Sequence, residues 1–484
     1  MATEYEVVMG LEVHVELATK SKIFCSCANG SDAEPNTHVC PACCGMPGML
    51  PVANRQVINL GMTAGMMLNC HINRTTTFDK KSYYYPDLPA SYQTTQWFAP
   101  IAVNGSVRIQ TSAGPKDIGI KQIHMEEDAG KLVHDDWTYT TLVDFNRTSV
   151  PLIEIVSRPD FRSAEEVVAY LERLRSLLRF AKVSSARMEK GTMRCDVNLS
   201  VRPKGSEALG VRTEMKNMNS IASIQRAIAY ETQRHIDAIE KGTEVLVQET
   251  RGWDEAAGKS FSMRNKETAG DYRYFPDPNV MPVVIDDEWY AEIQASLPPF
   301  PEEKREALLE TGLGEYDADQ LVASRAFCDC FDGAVAAGAA PKDAANWIIS
   351  TCAGMLNKRG LTADELAVDG RALGQLIGLV NGGKVSNANG KRLLEALFDL
   401  AAAGGEMPGD VEAFANDQGL INSDDTGAIR AVVEAVIAAN PADADAYRGG
   451  REKAINPLFG ACMKQLKGKC DPQILRQLLI DCLK

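Results

Sequence analysis

Four cysteines near the N-terminus have the spacing of a metal site. They form one C-x-C pair and, twelve residues later, one C-P-A-C pair. The candidate ligands are Cys25, Cys27, Cys40 and Cys43. Two thiolate pairs on separate turns match the tetrahedral coordination of structural Zn²⁺, and four protein ligands leave no coordination position open for catalysis. The pattern predicts a zinc knuckle over residues 25–43, with Cys44 and His38 as neighbouring competitors and buried or redox-active cysteines as the alternative interpretation.

A second group of chemically capable residues consists of acids and bases inside strand-like runs. Glu12 and His14 are two residues apart, so a strand places both on one face of a sheet and places Leu11, Val13 and Val15 on the other. Charged residues recur in further runs, which contain Glu126 and Glu127, Glu154, Arg194 and Asp196, and Arg212, Glu214 and Lys216.

A sheet face lined with carboxylates repels itself unless cations lie on it. Carboxylate oxygens with some histidine suit Mg²⁺ or Mn²⁺, and neighbouring arginines and lysines suit the phosphates that such metals carry. The sequence contains no G-x-x-x-x-G-K-[ST] motif. The pattern therefore indicates phosphoryl transfer from a nucleotide without a P-loop, and an ordinary ion-paired sheet surface is the alternative.

Two similar segments, 81–87 and 271–277, each combine a basic residue, an aromatic pair and Pro-Asp. Such turns are packing corners by default, but their rings also suit stacking on a base beside a cation that pairs with phosphate. The sequence contains no G-x-S-x-G elbow, no H-E-x-x-H motif and no amidase-like Ser-Lys stretch. It therefore predicts no amide hydrolysis by a nucleophile of this chain.

The elements that must position these residues change along the chain. Residues 5–292 mix strand and helix patterns. The strand patterns cover Val7–Val15, Ile118–Met125, Leu142–Val156, Cys195–Val201 and Val211–Lys216. Helices are predicted to begin at Ser163 and at Ser220, each followed by an apolar stripe. A proline-rich segment at 297–301 and a glycine-rich segment at 404–409 then separate regions that are typical of Ala- and Leu-rich helices.

Length and charge limit the possible functions. The chain has 484 residues, enough for two to four domains, and its 45% hydrophobic share excludes the disordered and fibrous classes. A net charge of -14 excludes a basic surface over the whole protein. Residues 448–484 nevertheless hold eight Lys or Arg and three Asp or Glu, a local charge of +5. This segment is either a solvated helical face or a contact surface for nucleic-acid phosphates.

Compartment is indicated by three further observations. Residues 1–10 lack the basic start of a signal peptide, and no uncharged apolar stretch reaches the roughly 18–20 residues of a membrane span. The 13 cysteines are an odd number in a large chain. The expectation is a cytoplasmic protein in a reducing environment, with no membrane partner.

Seven motifs stand in the order found in the GatB family, the B subunit of the aspartyl/glutamyl-tRNA(Asn/Gln) amidotransferase, and the chain resembles that family closely. The motifs occupy residues 10–17, 40–48, 85–89, 124–132, 150–157, 194–198 and 271–276. The resemblance covers nearly the whole chain and is most specific before residue 293. It implies an α+β protein: a mixed α/β catalytic cradle on a largely antiparallel sheet with a zinc knuckle (1–293), an all-α helical domain (294–404), and an α-helical, YqeY-like tail that binds tRNA (405–484).

The resemblance also implies a reaction and assigns residues to it. ATP phosphorylates the side-chain carboxylate of Glu or Asp misacylated on its tRNA, and ammonia then displaces phosphate to leave Gln-tRNA(Gln) or Asn-tRNA(Asn). The implied Mg²⁺ ligands are Glu12, His14, Glu127, Glu154, Asp196 and Glu214, with Glu126 as an alternative to its neighbour. The residues implied to bind phosphates or the substrate carboxylate are Arg194, Arg212, Lys216 and Arg273. The residues implied to bind structural zinc are Cys25, Cys27, Cys40 and Cys43.

The implied partners form a heterotrimer with this chain and share its tRNA substrate. They are a separate amidase (glutaminase) chain that supplies ammonia, a small third chain that wraps around both, and the misacylated tRNA. Whether Glu-tRNA(Gln), Asp-tRNA(Asn) or both are substrates stays open. One rival function is a non-catalytic tRNA-binding module with a zinc knuckle, which leaves the carboxylate-bearing strands unexplained. The other is a free ATP-dependent amide ligase, which would act without tRNA.

Overall fold

The structure is a computed structural model of the chain. It describes residues 3–30, 33–135, 137–265, 272–422, 426–466, 470 and 472–484. The chain divides into two compact units, Met1–Phe300 and Pro301–Lys484. All the predicted metal and phosphate ligands lie in the first unit.

Strands form the frame of the first unit. They are β1 (Tyr5–Glu16), β2 (His71–Ile72), β3 (Thr75–Thr76), β4 (Asp79–Ser82), β5 (Tyr92–Thr95), β6 (Ala102–Thr111), β7 (Gly114–Glu127), β8 (Lys131–Asp135), β9 (Thr140–Asp144), β10 (Pro151–Ser157), β11 (Met193–Pro203), β12 (Thr213–Lys216), β13 (Glu249–Asp254), β14 (Lys259–Asn265), β15 (Phe275–Pro276) and β16 (Val283–Val284).

A nine-stranded sheet lies at the centre, in the order β14-β13-β12-β11-β1-β10-β7-β6-β2. Among the strand pairs that the structure describes, β12 and β13 are parallel and all other neighbours in this sheet are antiparallel. The prediction of a largely antiparallel sheet is therefore confirmed. Smaller sheets pair β15 with β4 and β5, β16 with β3, and β8 with β9.

The helices of the first unit are α1 (Arg55–Met67), α2 (Ala164–Phe180), α3 (Ile221–Lys241) and α4 (Asp287–Ser296). The predicted helix starts are confirmed, because Ser163 Oγ accepts a hydrogen bond from Glu166 N and Ser220 Oγ accepts one from Ser223 N. Helix α2 packs against strand β6 of the central sheet, and helix α3 packs against strand β11. The alternate residues of β1 that point towards the core, such as Val13, are fully buried there.

One predicted strand is wrong. The run Leu142–Val156 is not continuous: β9 ends at Asp144, a 3₁₀ turn covers Phe145–Arg147, and β10 begins at Pro151. The Asp144 side chain caps this turn by accepting from Asn146 N at 2.9 Å. The local hydrogen bond to the backbone competes with strand pairing and overrides the apolar pattern.

The second unit is helical, as predicted, and no strand occurs among its described residues. Its helices are α5 (Pro301–Glu310), α6 (Glu315–Val322), α7 (Arg325–Ala336), α8 (Pro341–Asn346), α9 (Ala353–Lys358), α10 (Gly370–Asn381), α11 (Asn387–Ala402), α12 (Val411–Asp417), α13 (Thr426–Ala439), α14 (Pro441–Arg448), α15 (Ile455–Gln465) and α16 (Pro472–Leu483). A π-helix, Trp347–Cys352, joins α8 to α9.

The predicted break at 404–409 falls between α11 and α12, inside this unit. Helices α13 to α16 share a core of their own, which includes Val433, Leu458 and Leu479. Of the basic tail residues, Lys467 and Lys469 lie outside the described residues. In the part of the chain that the structure describes, no helix is both long enough and apolar enough to cross a membrane.

Candidate catalytic face and metal sites

The strand register brings predicted acids and bases together on the face of the sheet that points away from the core. On β1, which lies between β11 and β10, Glu12 is opposite Asp196 and His14 is opposite Glu154. Glu154 is in turn opposite His124 on β7. Because residues two apart on a strand share a face, these side chains form a polar row across the sheet.

The first cluster on this face consists of His14, Glu126 and Glu154. His14 Nε2 lies 3.3 Å from an oxygen of Glu126 and 3.4 Å from an oxygen of Glu154. One ligand atom from each of the three residues falls within 4.8 Å of the others. His124 joins the group, with Nε2 3.0 Å from Glu154. Carboxylate oxygens with an imidazole nitrogen form a donor set that fits Mg²⁺ or Mn²⁺.

Electrostatics at this cluster favour positive charge. Burial lowers the pKa of His14, but the carboxylates of Glu154 and Glu126 outweigh it and raise that pKa to about 9. The same balance raises the pKa of His124 to about 10. Burial opposes ionisation of Glu154, yet the two histidines hold its pKa well below the usual range. A divalent cation bound at this cluster in place of a histidine proton would supply the positive charge that these carboxylates favour.

The second cluster consists of Glu12, Asp196 and Glu214, whose carboxylate oxygens also lie within 4.8 Å of one another. Lys216 hydrogen-bonds Asp196, and its Nζ lies 3.3 Å from Glu214. Burial opposes the charge of Lys216, but Asp196 and Glu214 raise its pKa above the usual value. Three carboxylates that require a nearby cation are a further oxygen donor set suited to Mg²⁺.

Two neutral side chains orient carboxylates of the second cluster. Asn198 Nδ2 donates to Glu12 Oε1 at 3.0 Å, and Thr250 Oγ1 donates to Glu214 Oε2 at 2.9 Å. Thr250 is buried and faces Glu214 across the parallel pair β12–β13. The sequence offered no signal for Thr250, because only the strand pairing brings it to the cluster. The position of His124 was predictable, because its spacing of two from Glu126 places both side chains on one face of a strand.

Both clusters line one cavity of about 600 Å³. Its wall also holds Lys81 from the first of the two similar segments and Tyr272 and Tyr274 from the second. Tyr274 stacks on Trp97 with ring centroids 4.3 Å apart and an interplanar angle of 12°, and Lys81 Nζ lies 5.0 Å from the ring centroid of Tyr272. The cavity therefore joins oxygen ligands, a cation and flat apolar rings, which is the chemistry that a nucleotide and its metal require.

The four predicted zinc ligands come together in the loops between β1 and α1. One sulfur from each of Cys25, Cys27, Cys40 and Cys43 lies within 4.8 Å of the others. Four convergent thiol sulfurs fit tetrahedral Zn²⁺. A hydrogen bond from Cys25 lowers the pKa of Cys43, and Lys22 lowers it further. The alternatives Cys44 and His38 are not in this group of four.

Comparison with known proteins assigns the chain to a family. The model of the GatB/GatE catalytic domain matches residues 7–291, and the model of the GatB domain matches residues 329–483. The chain belongs to the GatB family. The first match contains both clusters and the four cysteines. The second match covers residues on both sides of 404–405, so the boundary predicted there stays a prediction.

Curated relatives of this GatB-family chain carry the name of the B subunit of aspartyl/glutamyl-tRNA(Asn/Gln) amidotransferase. One from Caldicellulosiruptor saccharolyticus is 47% identical over 480 residues, which cover 98% of each chain. One from Lachnospira eligens is 47% identical over 489 residues, covering 99% of this chain and all of the relative. One from Carboxydothermus hydrogenoformans is 45% identical over 482 residues, covering 99% of this chain and 98% of the relative.

In this member of the GatB family, the structure brings Glu126 and not Glu127 to the first cluster. Glu127 shares the core-facing side of β7 with Met125, and its carboxylate accepts from Thr94 N at 2.8 Å and from Ser149 Oγ at 2.6 Å. Burial raises the pKa of Glu127. Glu127 instead lines a separate cavity beside the cysteine cluster, with Cys25 and Cys43 among the other lining residues.

Three of the four predicted phosphate ligands of this GatB-family chain lie at the same face, and Arg273 does not. Lys216 and the exposed Arg212 line the cavity of the two clusters. Arg194 shares their face but pairs with Asp128 at 2.6 Å. Arg273 is exposed, has a positive φ of 46°, and is not among the described residues that line the cavity.

Proposed function

We propose that this chain catalyses the activation and amidation steps of a tRNA-dependent amidotransferase. The side-chain carboxylate of Glu or Asp on its tRNA accepts the γ-phosphoryl group of ATP, and ADP leaves. Ammonia then attacks the carbonyl carbon of the acyl phosphate, phosphate leaves, and the nitrogen loses a proton to give Gln-tRNA(Gln) or Asn-tRNA(Asn). The observation that carries the proposal is the shared cavity with its two carboxylate clusters and adjoining cations.

The metal ligands that we propose are His14, Glu126 and Glu154 in one set and Glu12, Asp196 and Glu214 in the other. Glu126 replaces Glu127 because its carboxylate lies at the cluster. Bound Mg²⁺ supplies charge neutralisation at the transferred phosphoryl group. The chain itself positions the reactants: Lys216 and Arg212 offer donors to phosphate or to the substrate carboxylate, and the Trp97–Tyr274 stack bounds the cavity.

The proposed role of the four cysteines is a structural zinc site. Their four sulfurs complete a tetrahedral donor set, so the metal would stabilise the loops and not take part in the reaction. We also propose a cytoplasmic location, because a reducing environment keeps thiols of this kind available to a metal.

Partners follow from the relatives' name, which describes one component of an amidotransferase. We propose that a separate amidase (glutaminase) chain releases the ammonia and that a small third chain completes the heterotrimer. The sequence of this chain has no amidase-like motif of its own, which supports an external source of ammonia.

The tail, which we place at residues 405–484, is proposed to bind tRNA. Its support is the net charge of +5 over residues 448–484, because basic residues on a compact helical unit attract the phosphate backbone. Truncation before Pro441 is expected to raise the apparent Kd for tRNA and leave the first unit folded. The measurement is filter binding together with circular dichroism, and an unchanged Kd would contradict the assignment.

The decisive experiment measures amidation by the purified complex with ammonium supplied directly. Amide formation on Glu-tRNA(Gln) or Asp-tRNA(Asn) is expected only with ATP and Mg²⁺, and testing both tRNAs identifies the substrate. Glu12→Ala and Asp196→Ala should each reduce the rate by about 100-fold or more, since each removes an oxygen ligand. Full activity in both variants would refute the proposed metal face.

Glu6→Ala is the matched control. Glu6 lies on the same strand and the same face as Glu12, but it pairs with Arg202 at 2.7 Å, roughly 20 Å along the strand from the cluster at about 3.3 Å per residue. This variant should keep wild-type activity. Equal activity on free glutamate or aspartate without tRNA would instead identify a free amide ligase.

A further inference from the structure

Lys22 is a lysine with an unusual environment. Its side chain is fully buried, whereas lysines are almost never buried without a partner. In the part of the chain that the structure describes, Nζ has two hydrogen-bond partners: the Cys43 sulfur at 3.7 Å and the Phe145 carbonyl at 3.4 Å. Neither is a carboxylate. A buried ammonium is costly unless an anion compensates it, so the anion at this site must come from the thiols.

The loops hold Lys22 between the two cysteine pairs. Its backbone N–H donates to the Cys27 carbonyl at 3.0 Å, which closes the turn that carries the first pair. Its side chain reaches Cys43 of the second pair. The Phe145 carbonyl belongs to the 3₁₀ turn whose Asn146 accepts from His38 N at 2.8 Å and donates to the Glu34 carbonyl at 2.7 Å. Lys22 therefore links the two cysteine pairs to this turn.

Charge explains why a cation is needed there. Four thiolates around one divalent ion carry a net charge of about -2, and partly buried negative charge is stabilised by hydrogen-bond donors next to the ligands. A lysine ammonium supplies both a donor and one positive charge. No other lysine or arginine hydrogen-bonds or ion-pairs with the four cysteine sulfurs among the described contacts.

We propose that Lys22 is the positioning residue of the four-cysteine cluster, donating a hydrogen bond to the Cys43 thiolate and offsetting the negative charge of a tetrathiolate zinc site. This inference rests on the proposed zinc site. Lys22 touches no metal in this role; it acts through Cys43, and it ties the knuckle to the turn after β9.

The test compares zinc binding by four full-length chains: wild type, Lys22→Met, Lys22→Arg and Lys20→Met. Zn²⁺ affinity is measured by competition with a chromophoric chelator, and the ligand set by the absorption of the Co²⁺-loaded chains. Loss of Lys22 is expected to weaken Zn²⁺ binding by about 10–100-fold, as for other groups that support metal ligands. Lys22→Arg should recover part of that affinity. Lys20 is exposed, so Lys20→Met is expected to bind Zn²⁺ within about twofold of wild type.

Failure of the two proposals gives different results. A wild-type chain without Zn²⁺ affinity would overturn the zinc site and this inference together. A wild type that binds Zn²⁺, with Lys22→Met binding equally tightly, would overturn the role of Lys22 alone. A loss of affinity in Lys22→Met equal to that in Lys20→Met would also overturn it.

A charge-compensating pair covers the case in which Lys22→Met folds poorly. Cys43→His converts the cluster to a Cys₃His set with one negative charge fewer, which is a common structural zinc site. If Lys22 offsets thiolate charge, Lys22→Met should cost less zinc affinity and less soluble yield in the Cys43→His background than in the wild-type background. An equal loss of zinc affinity and soluble yield in both backgrounds would contradict the proposal, because Lys22 would then stabilise the fold independently of the Cys43 thiolate.

Discussion

The carboxylate face of the central sheet and the four-cysteine cluster are two polar centres of the same unit that are built in opposite ways. On the sheet, ligand positions follow from hydrogen-bonded register: Glu12 meets Asp196 and His14 meets Glu154 because their strands are paired. The cysteines instead lie in loops between β1 and α1. We infer that the sheet stays ordered without a metal, whereas the loop segment depends on its metal for order.

The two centres also differ in how negative charge is balanced. The carboxylates have several cations beside them, including His14, His124 and Lys216, and they open into a cavity of about 600 Å³. At the cysteine cluster, the cation beside the sulfurs is the buried Lys22, which hydrogen-bonds Cys43. Cationic side chains around an open cavity suit a site that charged substrates enter. Four protein ligands around one metal suit a structural site that stays closed to substrates.

The largest expected effect is the removal of one thiol. Cys40→Ser should lose the bound zinc and lower the free energy of unfolding by on the order of 3 kcal/mol, because metal binding stabilises the folded loops. Zinc content by mass spectrometry and hydrogen exchange over residues 21–46 are the measurements. Cys44→Ser is the control, since the four-cysteine group excludes this neighbour. If Cys40→Ser also made hydrogen exchange faster across the central sheet, the inference that only the loop segment depends on its metal for order would be wrong.

A second expected effect separates two adjacent glutamates on β7. Glu126→Gln should weaken Mn²⁺ binding by roughly 100-fold, or about 2.7 kcal/mol, while Glu127→Gln should change it by less than about twofold. The reason is strand alternation, which sends the two carboxylates to opposite faces. Isothermal titration with Mn²⁺ gives the comparison directly. The reverse order of effects would show that Glu127 is the ligand.

The smallest expected effect concerns orientation of a carboxylate. Thr250→Val removes the hydrogen bond to Glu214 and keeps the volume, so kcat should fall by about tenfold with little change in stability. Thr250→Ser keeps the hydroxyl and should restore most of the rate. If both variants match wild type, the Thr250 hydroxyl does not orient Glu214, and the inferred support of this carboxylate by Thr250 is wrong.

Much of this arrangement was predictable from local pattern. The helix starts at Ser163 and Ser220 and the shared face of Glu12 and His14 follow from capping chemistry and from the period of two along a strand. The four cysteines were predictable because their spacing matches a tetrahedral site. The break within Leu142–Val156 was not, since a residue distant in sequence also holds the turn there: Asn36 N donates to Asp144 Oδ1 at 3.0 Å, and Phe145 N donates to Asn36 Oδ1 at 2.8 Å.

The sequence by itself determined which residues carry chemistry and which neighbours within one strand share a face, because those properties depend on contacts a few residues apart. Only the tertiary structure decided that Glu126 and not Glu127 meets His14, that Thr250 reaches Glu214, and that Lys22 is buried against Cys43. These facts depend on strand pairing and loop packing between distant parts of the chain. Such contacts leave no periodic trace in the sequence.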